Sequence, residues 1–214
     1  MPLSMFKKRI PKTRNLKRRK KFERLIEWHL RQTKYFQTGS PRTLSGFGLE
    51  LMRRFYRRWP FKGPRTIHVS KNCYIVATHE SFESVIGIEL RRKDTPVGKI
   101  KIGFAPHSII IEAIQGRGKE FFVEDTNEEL KKPWANAIME KIEENARKAG
   151  VKRILIRRPE TLHVYKEHAK NAKRTDLPFV EYEKRIVEKM SRIYYALAKK
   201  MGYRKTPRFF VKDL

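Results

Sequence analysis

The stretch SIIIEAIQGRGKEFFVEDTNEELKKPWANAIMEKIEENARKAGVKRILIRR, residues 108–158, decides the fold. Its first eight residues, Ser108 to Gln115, form an apolar, β-branched run that a glycine closes, which reads as a strand. Pro133 then stands where a helix can start, because the missing N–H does no harm at the first position. Trp134, Ile138, Ile142 and Ala146 recur at helical spacing, and Gly150 suits a left-handed cap. VKRILIRR, from Val151, reads as a short apolar strand. Strand, helix, strand at this length predicts a right-handed parallel crossover. Gly116 to Lys132 reads as a polar insert between the first strand and the helix.

On the N-terminal side, CYIVATHE (73–80), SVIGIEL (84–90) and VGKIKIGF (97–104) are β-rich runs. The short turns RRKDTP and APHS make them a sequential antiparallel meander with SIIIEAIQ as its fourth strand. On the C-terminal side an amphipathic helix is expected over Val180 to Met201. Its inner residues are Ile186, Met190, Ile193, Leu197 and Met201. Gly202 ends it and RFFVKD is a last strand. The fold class is therefore α/β in the α+β sense: four meander strands plus a parallel crossover strand in one mixed sheet.

Before this body the texture differs. Residues 1–15 read as an extended basic tail, and LKRRKKFERLIEWHLRQTKYF (16–36) as a helix that begins with five consecutive basic residues. After the linker QTGSPRT comes SGFGLELMRRFYRRW, with Ser45 as N-cap. Leu51, Met52, Phe55, Tyr56 and Trp59 line one face of that second helix and four arginines the other. PFKGP (60–64) ends it, so the domains are 1–64, a basic tail and helical arm, and 65–214, the α/β body.

The chain has 214 residues and a formal net charge of +28. Residues 1–65 carry 20 Lys and Arg against 3 Asp and Glu, an excess of 17. Such a charge repels itself unless a polyanion neutralises it. A single cysteine, Cys73, excludes an internal disulfide framework and a cysteine-based zinc site. No apolar run approaches the ~20 residues of a membrane-spanning helix. The Lys/Arg-rich, acid-poor start is read as a basic tail because its charge continues into the next elements. A mitochondrial transit segment is the alternative. The expected compartment is the cytoplasm, with the mitochondrial matrix second.

The arm supplies the candidate nucleic-acid contacts. They are Lys7, Lys8, Arg9 and Arg14 on the tail; Lys17, Arg18, Arg19, Lys20, Lys21, Arg24 and Arg31 on the first helix; Arg53, Arg54, Arg57 and Arg58 on the second; and Arg65 beyond it. Arginine offers a planar fork that grips phosphate oxygens in pairs. Arg157 and Arg158, ending a strand, are expected to extend the track. Trp28, Tyr35, Phe36 and Tyr56 either stack on unpaired bases or bury against the body, the second being favoured. No base-reading motif is present, so recognition is expected through backbone and shape. The mixture of Lys/Arg, Pro and a few aromatics in the tail resembles the extensions of ribosomal proteins, which favours RNA over DNA and a ribonucleoprotein setting.

The order of elements over residues 71–214 resembles the GCN5-related N-acetyltransferase (GNAT) fold, as does the ending YYALAKKMGYRKTPRFFVKDL with its Met201–Gly202–Tyr203 step. The resemblance implies acetyl-CoA bound by a loop of pattern Gln/Arg-x-x-Gly-x-Gly/Ala after the fourth strand. Gln115, Gly116, Arg117 and Gly118 match its first four positions, and Glu120 stands where a small residue is the rule. The other reading of these residues is a glycine-rich turn. The resemblance also implies a tyrosine four residues before the C-terminal glycine, where this chain has Ala198; Tyr194 lies one turn earlier. No catalytic residue is assigned.

The remaining chemistry is sparse. His163 and His168 lie beside Glu160 and Glu167 in what reads as a solvated linker, and no metal site is expected. Cys73 and His79 are six residues apart on one strand, about 20 Å at strand rise, and cannot act together. Glu112 is read as an outward residue of the fourth strand. Taken together, these features predict a non-catalytic nucleic-acid-binding protein, RNA preferred, with no cofactor. The alternative is an acetyl-CoA-dependent N-acetyltransferase whose arm holds a nucleic-acid-bearing substrate.

Overall fold

The computed structural model describes residues 67–214 apart from 80–85, 106, 118, 175 and 177. They all fall within one compact unit. The tail, the two arm helices and their sixteen basic residues lie outside the described residues, as does the expected boundary at 64/65.

One eight-stranded mixed sheet organises the described residues, in the order β1-β2-β3-β4-β5-β6-β8-β7. The strands are β1 (Ile67–His68), β2 (Cys73–His79), β3 (Ile86–Arg92), β4 (Thr95–Ala105), β5 (Ser108–Gly116), β6 (Arg153–Arg157), β7 (Arg204–Lys205) and β8 (Phe209–Asp213). The four expected meander strands are β2 to β5, all antiparallel, and β5–β6 is the parallel pair. The two-residue strands β1 and β7, too short for a periodic signal, lengthen the sheet at its edges.

Four helices accompany the sheet: α1 (Glu120–Leu130), α2 (Trp134–Ala149), α3 (His163–Asn171) and α4 (Val180–Lys200). None is long and apolar enough to cross a membrane. The core forms where cross-strand neighbours share a face. Ala77, Ile88, Ile100 and Ile114 are opposite one another across four strands. Ile138, Met139 and Ile142 of α2 are fully buried. Gly98 is required here: a Cβ would lie 2.6 Å from the Trp134 ring, which fills that space. The β3–β4 hairpin turns through Lys93 and Asp94, both at positive φ, the geometry that matches strand twist in a two-residue turn. Gly150, at φ 79°, ends α2 as the sequence predicts.

Two expectations are corrected. The insert at Gly116–Lys132 is mostly helix α1, and the supposed linker around His163 and His168 is helix α3. Only Thr126 and Leu130 of α1 are buried, and no residue of α3 is. Neither helix carries an apolar stripe that a sequence pattern reveals. Tertiary hydrogen bonds hold both instead. Glu129 of α1 accepts from Ser70 Oγ at 2.6 Å, from the Asn72 N–H at 3.0 Å and from Arg92 Nε at 3.0 Å. His168 and Tyr165 of α3 pair with Glu183 and Ser191 of α4.

At the C-terminal end, Lys212 of β8 reaches Glu143 of α2 at 2.8 Å and the Met201 carbonyl at 2.8 Å. The Tyr203 hydroxyl donates to the same carboxylate at 3.0 Å, so a buried charge is fully partnered. Tyr195 of α4 stacks edge-on against Phe210. Phe210 and Lys212 alternate to one face of β8, so α2 and α4 flank the same side of the sheet there.

Candidate functional site

The parallel β5–β6 ladder runs only from Ser108↔Arg153 to Ile111↔Ile156. β5 continues to Gly116, so the two strands part beyond Ile111 and open a notch in the sheet. The β4–β5 register slips at the same place: Lys101 faces Ala113 but Ile102 faces Ile111. Glu112 is the extra residue, a β-bulge that turns its side chain out of the ordinary alternation. Its carboxylate lies over Gly103, where a Cβ would come 2.9 Å from Oε1. This corrects the reading of Glu112 as an outward strand residue; its side chain is 12% exposed and paired with Arg157 at the end of β6.

Helix α4 delivers Tyr194 into the notch. Its hydroxyl accepts the Ile114 N–H at 2.8 Å, and the residue is 1% exposed. Burial, helped by the Glu112 charge, pushes its phenol up to about 12. Tyr194 therefore keeps its proton at neutral pH and satisfies a strand donor that has no ladder partner. Ala198, at the position matching the expected tyrosine, is buried and has no ionisable proton to donate. The notch thus contains a carboxylate, a guanidinium and a phenol, each already engaged with another part of the chain.

The end of β5 and the turn after it are exposed at Gln115, Gly116 and Arg117, while Gly118 lies outside the described residues. The Arg117 N–H donates to the Val97 carbonyl at 2.9 Å, and its guanidinium stands 3.9 Å from Glu89. Contrary to expectation, a helix follows at once, since α1 begins at Glu120. No side chain caps that helix, and its first turn holds an acid. Glu120 suits the positive end of the helix dipole and opposes an anionic ligand there. Nothing lies within 4 Å of a Cβ built on Gly116, so no close approach requires that glycine. Asp125 and Glu129 do not face the turn but hold Arg92. The hydrogen bonds to Glu129, Ser70 first, lower its carboxyl to about 2.

Arg157 and Arg158, the expected extension of the phosphate track, are both engaged within the chain. Arg157 is held by Glu112, and Arg158 donates to Glu160, the Tyr195 hydroxyl and the carbonyls of Thr206 and Pro207. Cys73 is fully buried and its thiol is pushed up, chiefly by burial. His163 is exposed beside Glu167. Among the described residues no group of three His, Cys, Asp or Glu side chains is close enough to hold a metal ion. The sequence reading missed the Tyr194–Ile114 bond and the Glu112–Arg157 pair, because both join residues at least 45 positions apart. The only local signal was the repeated Tyr194–Tyr195.

In comparison with known protein families, curated proteins and solved structures, the chain has no match.

Proposed function

We propose that this chain is a non-catalytic, cytoplasmic nucleic-acid-binding protein that grips the phosphate backbone of RNA through its basic N-terminal arm, with an acetyltransferase-like α/β body as the platform. The observation that carries the reading is the charge: +28 over 214 residues, with an excess of 17 on the first 65. Each Lys or Arg that neutralises a phosphate releases a condensed counterion, which is the main source of non-specific affinity. The arginine pairs Arg53–Arg54 and Arg57–Arg58 offer forked donors one helical turn apart.

The alternative, an acetyl-CoA-dependent N-acetyltransferase, is favoured by one feature: the Gln115–Gly116–Arg117–Gly118 stretch after the fourth strand leads at once into a helix. The residues present do not fit the cofactor. The Ile114 N–H that faces the notch is taken by Tyr194. Glu120 repels a pyrophosphate at the α1 start, and Ala198 offers no general acid. Their bonds within the chain give Glu112, Arg157 and Tyr194 roles in holding the sheet together.

The test is fluorescence anisotropy of a labelled 20-nucleotide RNA with the whole chain from 50 to 300 mM KCl, with duplex DNA for comparison. The expected result is tight binding with a steep linear log–log slope. Replacing Arg53, Arg54, Arg57 and Arg58 by glutamine should lower that slope by about 3, at ~0.7 per phosphate contact on a single strand. Absence of binding at physiological salt refutes the proposal.

A further inference from the structure

The outward face of α4 carries cations that its apolar inner face does not explain. Arg185, Lys189, Arg192 and Lys199 are all exposed. At about 100° per residue they lie within roughly 80° of arc, and they span about 21 Å of helix. None of the four has an ion-pair partner among the described residues, whereas the neighbouring Glu181 is bound by Lys184 at 2.6 Å. Two acids border the row: Glu188, and Glu181 one turn before Arg185, whose carboxyl is lowered chiefly by Lys184 and also by Arg185.

The tertiary structure adds a fifth cation. Lys205 of β7 places its Nζ 5.1 Å from the centre of the Tyr195 ring. Tyr195 follows Arg192 by one turn and precedes Lys199 by one turn, so Lys205 approaches α4 at the level between them. Like charges a turn apart destabilise a helix. This helix tolerates them because Tyr194, Leu197 and Ala198 are buried on its other side. Between Arg192 and Lys199 the row offers only Ala196 as an apolar contact. A straight row of cations with no ion pair among the described residues suits a line of phosphates, which charge positions without reading bases.

We infer that this row is a second phosphate-binding surface, on the body, that holds the backbone of a nucleic acid whose other contacts are made by the arm. The inference rests on the nucleic-acid reading above and adds to it a site remote from the arm in sequence. The occupant is one nucleic-acid strand, with the row acting as an additional three to five charge contacts, about one per cation.

The experiment uses the whole chain and the same labelled RNA 20-mer over a KCl series. One variant combines R185Q, K189Q, R192Q and K199Q. Glutamine keeps helix propensity close to that of Arg and Lys, and circular dichroism checks that α4 survives. A control combines K71Q, K93Q, K131Q and K152Q, which removes the same net charge from other exposed positions. The expected result is a salt slope about 3 lower for the α4 variant and less than 1 lower for the control. If the α4 variant matches the control while the unaltered chain binds RNA, the row is not a binding surface and the arm reading stands. If the unaltered chain does not bind RNA, both fall. If the α4 variant keeps its RNA slope but loses co-sedimentation with phosphatidylglycerol vesicles, the row serves a membrane and the inference is overturned.

Discussion

Replacing Tyr194 by phenylalanine removes one oxygen atom and leaves the ring in place. The hydroxyl is the partner of the Ile114 N–H at 2.8 Å, in a notch where the ladder to β6 has ended. With Tyr194 only 1% exposed, solvent does not reach that donor from the α4 side. An unsatisfied buried N–H costs about 1–3 kcal/mol. At about 2–4 °C per kcal/mol for a chain of this size, the expected loss in Tm is roughly 2–12 °C. Urea unfolding followed by tryptophan fluorescence gives the free energy directly, and an unchanged m-value shows that the denatured state is not affected. Tyr194→Ala removes the ring as well and should cost about 3–5 kcal/mol, the range of large aromatic truncations. The contrast between the two variants isolates the hydroxyl. If Tyr194→Phe costs under about 0.5 kcal/mol, the strand donor is satisfied some other way. The notch is then not sealed by α4, and the case against a ligand there loses its main support. The same residue sets an alkaline limit. Its folded pKa of about 12 lies above the ordinary 10, so its contribution is complete below pH 10 and is lost as the pH rises through 12. Tyr194→Phe should flatten stability against pH in that window.

Glu129 provides the acid counterpart: its carboxyl, lowered to about 2, contributes fully above pH 4.5 and loses that contribution as the pH falls toward 2. About 3 kcal/mol of pH-dependent stability is expected from it, and Glu129→Gln should flatten the acid limb of a pH series of urea midpoints. Gly98→Ala drives a methyl into the Trp134 ring and should cost about 1–3 kcal/mol, while Gly116→Ala, facing open space, should stay within about 0.5 kcal/mol in the same assay. Acetyl-CoA should leave the Tm of the whole chain unchanged in a thermal-shift titration; a site filled at ~100 times its dissociation constant would add about 2.7 kcal/mol and revive the enzyme reading.

The sequence by itself determined the elements whose side chains repeat with a period. The strands β2 to β5 announce themselves by β-branched runs between turn residues. Helix α2 does so by Trp134, Ile138, Ile142 and Ala146, all of which are buried as the spacing predicts. Burial of one face rewards a local period, so a local pattern suffices. The placement of charge along the chain was legible for the same reason, since it is a property of composition. What only the tertiary structure decided has no period. Helix α1 is held by Glu129 reaching back 57 and 59 residues to Asn72 and Ser70, and α3 by side-chain bonds to α4. The bulge that turns Glu112 onto Arg157 depends on where two strands part, and the bond from Tyr194 to Ile114 joins residues 80 apart. The cation of Lys205 comes over Tyr195 of α4 only because a two-residue strand brings it there. Single hydrogen bonds and ion pairs between distant residues leave no repeating mark on either partner, so only the folded chain, which sets their distance and burial, can reveal them.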